Sequence, residues 1–217
     1  MKKLLITFLI GVTCATISLP PINSLALSIN EPTNKAAIKD AFKDRSSVHI
    51  EDLKDELSIF TSSGISDVDF LNYEILLLRI SLYLSALIQS YVSDEQLIDF
   101  AEEVLEENSG VIRESRILIN KLDVADKKND TASADYVKSA KTITDNLFTS
   151  LNSINYSQND SLIYIDEITY VITATKDLAS LINKSTKNSI IKTIADDIVN
   201  NADNNLETIK EIKPAFS

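Results

Sequence analysis

One cysteine, one histidine, three glycines and four prolines in 217 residues leave this chain with little catalytic vocabulary. Cys14 lies in an apolar N-terminal run, so the rest of the chain has neither a disulfide nor a thiol nucleophile. His49 alone cannot furnish a zinc site, and no Glu-x-x-His pair is present for a di-iron centre. As an acid–base catalyst His49 has no cysteine partner, and it reads as a surface or interface residue. Beyond the first 26 residues only Gly64 and Gly110 remain, too far apart for a loop whose backbone N–H groups cradle a phosphate. No cofactor and no metal are therefore expected, and the chain does not read as an enzyme.

Basic residues are also in the minority, 21 Lys and Arg against 32 Asp and Glu, for a formal charge of −11. Such a field repels nucleic acid and anionic headgroups, which disfavours both as partners. An acidic cluster in the loop from Asp123 to Asp135 lacks the ligand order and the glycine of a calcium-binding EF-hand, and Lys127 and Lys128 oppose a cation there.

What the sequence does have begins at its N-terminus. Lys2 and Lys3 precede an apolar run from Leu4 to Leu19, then Pro20-Pro21 and the small-residue exit Ser24-Leu25-Ala26. This is the pattern of a secretory signal peptide over residues 1–26, cleaved after Ala26. Residues 27–217 then form a single domain, with a formal charge of −13 once the two lysines are removed. The expected localisation is secreted or periplasmic. Cys14 offers a second reading, a lipid anchor to the cell surface, but Gly11-Val12-Thr13 is a poor lipidation context. A membrane enters as a partner only if Cys14 is lipidated.

Apolar residues recur at helical spacing through the rest of the chain, and glycine and proline are too rare to punctuate strands. The expected fold is all-α, an antiparallel helical bundle of five to six helices. The first segment runs from about Asn34 to Phe60, with a possible break at Arg45-Ser46-Ser47 and a stripe of Ile50, Leu53, Leu57 and Phe60. Ser66 and Asp69 form a capping-box-like start to a helix reaching about Val92, apolar nearly all round from Ile75 to Leu84. That helix reads as the buried centre, with Leu78 and Leu82 in the core and Arg79 paired to a carboxylate of a neighbouring helix.

Ser93 and Gln96 suggest the next cap, for a helix ending near Asn108, and Ser109-Gly110 suggests a break before the stripe resumes at Val111. The polar stretch from Asp126 to Thr131 reads as a long loop. Ser133 is placed to cap a helix carrying Tyr136, Ala140, Leu147 and Leu151. Two further helices follow, one from Ser161 to Ile182 and one from Ile191 to Ile209, which Pro214 stops.

The densest charge cluster is Asp94, Glu95, Asp99, Glu102, Glu103, Glu106 and Glu107, with no basic residue among them. It reads either as a solvated face or as a strip that docks the basic patch of a protein partner, with Asp99, Glu102, Glu103, Glu106 and Glu107 as the contact residues. The leading functional expectation is a secreted or surface-exposed bacterial protein that works by binding a protein, such as a host serum or matrix ligand. In plan, though with no shared motif, it is similar to helical surface proteins of host-associated bacteria. The alternatives are a membrane-active toxin component, inserting the segment from Ile75 to Val92, and a periplasmic enzyme that uses only carboxylates and tyrosines.

Overall fold

The helical expectation is met throughout the computed structural model, which describes residues 41–125 and 130–216. The expected signal peptide, Cys14, the segment opening near Asn34 and most of the polar stretch after Asp126 lie outside the described residues. Among the described residues there are six α-helices, a closing 3₁₀ turn and no strand: α1 (Phe42–Ser58), α2 (Ser66–Ile88), α3 (Glu95–Ala125), α4 (Asp130–Leu151), α5 (Asp160–Asn183), α6 (Ser189–Ile212) and the turn Lys213–Phe216.

α1 is uninterrupted, because both serines of the expected break find hydrogen-bond partners that leave the helix intact. Ser47 Oγ donates to the Lys43 carbonyl at 2.6 Å, while Ser46 lies on the buried stripe with Phe42, Ile50 and Leu53. Gly64, at φ 82°, then turns the chain in a left-handed conformation that a side chain would resist. The Ser66 cap is a correction. Ile65 is the N-cap residue and its side chain caps nothing; instead Asp69 reaches back, its Oδ1 accepting from the Ser63 N–H at 2.7 Å and its Oδ2 from Ser62 Oγ at 2.9 Å. Ser133 does not cap α4 either. It lies inside that helix, fully buried, and donates to Asp69 across the α2–α4 contact.

α3 also corrects the sequence reading twice. Its first turn is capped by Asp94, which accepts from the Leu97 N–H at 3.0 Å, and not by Ser93. The helix then passes through Ser109-Gly110 without a break, which fuses two expected helices into one of 31 residues. Its inner face explains the continuity. Val104 and Ile112 are both buried, and between them Asn108 Nδ2 donates to Ser81 Oγ at 2.9 Å, so tertiary contacts outweigh the roughly 1 kcal/mol that a helical glycine costs. The last two helices start where an asparagine accepts an early N–H: Asn159 from Leu162 at 2.9 Å and Asn188 from Ile190 at 3.0 Å. α6 gives way at Lys213 to the 3₁₀ turn that contains Pro214.

One hydrophobic core joins the six helices, and α2 and α5 are its centre. α2 packs against α1, α3, α4 and α5, while α5 packs against α1, α2, α4 and α6. Burial around nearly the whole circumference explains why α2 has no continuous polar face. It is also long and apolar enough to cross a membrane by length and composition, with 61% of that stretch buried inside the fold. Leu78 is buried at 3% exposure, as expected, but Leu82 is only half-buried, because its side of α2 turns outward beside Tyr83. Arg79 does find a neighbouring carboxylate, Glu56 of α1, in a two-pronged pair of 2.8 and 3.1 Å, but this pair lies at the exposed surface and not in the core.

Candidate functional site

The acidic cluster divides on the structure. Asp94 and Glu95 belong to the start of α3, where carboxylates complement the helix dipole. Asp99, Glu102, Glu103 and Glu106 project from the outer face, opposite the buried row of Leu97, Phe100, Ala101 and Val104, and all four are exposed. None of the four is in an ion pair among the described residues. Glu107 differs from them: it is half-buried and its Oε2 accepts from Asn205 Nδ2 of α6 at 3.0 Å. Burial pushes its carboxyl above the usual range, the Asn205 hydrogen bond opposes this, and Glu103 and Glu106 add to it. Glu107 is thus a tether between α3 and α6, with the other four carboxylates outside it. Along this face Glu103, Glu106, Glu107, Ser109, Gly110 and Arg113 line an open depression.

His49 behaves as a packing residue. Its ring lies on that of Tyr83 at a centroid distance of 3.3 Å, with Nδ1 3.8 Å from Asp52. Burial lowers its pKa and Asp52 partly offsets that. Among the described residues no group of three His, Cys, Asp or Glu is placed to hold a metal ion.

Periodicity alone did not mark three carboxyl groups that the fold buries completely. Asp69, Glu74 and Glu167 each have 0% exposure. Asp69 collects Ser62, Ser63 and Ser133. Glu167 of α5 collects Ser46 Oγ of α1 at 2.8 Å and the Tyr156 hydroxyl at 3.3 Å, both on Oε1, and burial raises its carboxyl to about 7. Glu74 of α2 has no hydrogen-bond partner on either oxygen, and burial alone raises it well above the usual carboxylate range. The Tyr136 hydroxyl of α4, likewise without a partner, is electrostatically coupled to it. The available signal was position: Glu74 falls four residues after Phe70 and four before Leu78, and Glu167 four after Ile163 and four before Val171, so both lie on apolar stripes.

Glu74, Glu167 and Tyr136 lie inside the core, and Tyr156 is half-buried at its edge. A small cleft elsewhere, between α2, α3, α5 and α6, has a volume of about 20 Å³ and is lined in part by Ser81, Asn108 and Asn205. That is room for about one water molecule. Comparison with protein families, with curated proteins and with solved structures finds no match to the chain.

Proposed function

We propose that this is an exported helical-bundle protein that works by binding a protein with a basic surface through the outer face of α3. The observation that carries this reading is the set of four exposed carboxylates, Asp99, Glu102, Glu103 and Glu106, that have no ion pair among the described residues. Holding like charges together on one helix costs a few tenths of a kcal/mol for each i,i+4 pair, and lysines on the same face would have relieved it. A partner cation converts that repulsion into attraction and speeds encounter. The two buried carboxyls nearest tyrosines, Glu74 and Glu167, support binding over catalysis, because a substrate cannot reach groups with no exposed surface. Packing of α2 against four helices supports binding over membrane insertion, since insertion would have to break all four contacts.

The test is a pull-down with the chain beginning at Leu27, read by mass spectrometry across a salt series and repeated with Asp99→Asn, Glu102→Gln, Glu103→Gln and Glu106→Gln combined. The expected outcome is unchanged or raised thermal stability, affinity for the captured protein weaker by about tenfold or more, and binding of the unsubstituted protein that fades as salt shortens the screening length to about 8 Å or less. Binding unchanged by the substitutions and by salt would leave these residues as a solvated face. Export makes a separate prediction: N-terminal sequencing of the secreted protein reads from Leu27. A blocked, diacylated Cys14 would place it on a membrane instead.

A further inference from the structure

α1 is held to the rest of the fold at a few identifiable points. Phe42 seats its ring edge-on between Tyr91 and Tyr164, at centroid distances of 5.7 and 6.3 Å. On the α2 side, Arg79 grips Glu56 and Tyr83 stacks on His49. On the α5 side, the fully buried Ser46 hydroxyl donates to Glu167, which also receives Tyr156 from the turn before α5. α1 and the turn that leads into α5 thus meet on one carboxyl group, whose second oxygen, Oε2, is buried without a partner.

We propose that α1 is a pH-sensitive strap, latched to α5 where the buried Ser46 and the half-buried Tyr156 meet the Glu167 carboxyl, and loosened as pH rises. The charges around the latch explain its sign. No ion pair reaches Glu167 among the described residues. Asp166, beside it on α5, disfavours its ionisation, although Lys213 of the closing turn pairs with Asp166 at 2.6 Å. From α1, Lys43 acts on Asp160 at the start of α5. From the core, Tyr164 is kept neutral by burial and is hydrogen-bonded to Ser85 of α2 at 2.9 Å. Burial is therefore the dominant influence on Glu167, and the two hydroxyl donors only partly offset it.

Release of α1 removes Ser46 from above Glu167 and lets water reach it, returning the carboxyl to ordinary behaviour. The closed state consequently holds the Glu167 proton more tightly than the open one. Closure is strongest below about pH 4.5, weakens as pH rises from there through about 7, and changes little beyond that. His49 acts oppositely: its lowered pKa means that protonation, below the usual imidazole range, works against the Tyr83 stack. The strap is thus tightest on the acid side of neutrality, short of His49 protonation.

The test is hydrogen exchange by mass spectrometry on the full chain between pH 6 and 8.5, with protection factors corrected for intrinsic exchange. Protection of the α1 amides should fall roughly tenfold across that range, as expected for a carboxyl that titrates near 7 when closed and near 4.5 when open, while α6 stays flat. Glu167→Gln, which cannot ionise, should flatten the α1 profile. Tyr156→Phe removes a donor that favours the anion, so it should move the fall to higher pH, and this variant keeps the proposal testable if Glu167→Gln does not fold. Protection in α1 that is independent of pH in the unsubstituted protein, an equal fall in Glu167→Gln, or an unmoved midpoint in Tyr156→Phe would each overturn the latch.

Discussion

Glu74→Met should raise the stability of this protein by about 1–3 kcal/mol at pH 7.5, the order of the penalty for a buried polar group without a hydrogen-bond partner. Both oxygens of Glu74 are buried without a hydrogen-bond partner, and so is the Tyr136 hydroxyl coupled to it. Burial alone raises the carboxyl, so the folded state carries it as the neutral acid well above the pH at which a solvated glutamate ionises. The unfolded chain gives up that proton more readily. The stability associated with neutral Glu74 is therefore fully present below its ordinary range and is lost as pH rises. Methionine removes this dependence, so the gain should be larger at pH 7.5 than at pH 5, measured by urea unfolding at both. A loss of stability at both pH values would mean that Glu74 has a favourable partner in solution. Glu74→Gln separates charge from polarity, since it cannot ionise but still buries a polar amide.

The places where sequence reading succeeded and failed follow from the range of the interactions involved. α5 and α6 were legible because α5 carries a sustained 3–4 alternation of apolar residues, α6 carries a one-sided apolar stripe, and each starts beyond a polar turn that ends in asparagine, Asn159 or Asn188, features written within one helix. The partner class of Arg79, a carboxylate of a neighbouring helix, was legible too, but its burial was not, because Arg79 sits on the one exposed position in the middle of α2. The continuity of α3 was not, since Ser109-Gly110 is a local signal for a stop. Bonds to Ser81 and Asn205, 27 and 98 residues away, hold the helix through it. The buried carboxyl clusters were hidden for the same reason. Ser46 and Glu167 are 121 residues apart, and Asp69 and Ser133 are 64 apart. A glutamate on an apolar stripe can be noticed in sequence, but whether it meets a serine, a tyrosine or nothing is decided only by packing. The candidate binding face was the reverse case. Asp99, Glu102, Glu103 and Glu106 are exposed as their spacing suggested, and only Glu107 departs, drawn inward by the buried Asn205 of α6.

Leu84→Ala should cost about 2–5 kcal/mol, the range for removing a large aliphatic side chain from a packed interior, while Leu82→Ala two residues away should cost clearly less. Leu84 has 0% exposure on the helix that contacts four others, and Leu82 is half-buried. The contrast is informative because the two residues have identical chemistry and neighbouring positions, so helix propensity cancels and only the difference in burial remains. A transfer term of about 25 cal/mol per Å² applies to both, but the cavity term falls mainly on Leu84, where neighbouring helices cannot collapse into the space without moving others. Thermal or urea denaturation of the two single variants decides it. Equal large losses would show that the Leu82 side of α2 is covered in solution by something beyond the six helices. Equal small losses would show that α2 is not the centre of the core, and the argument against membrane insertion from its packing on four helices would lose its support.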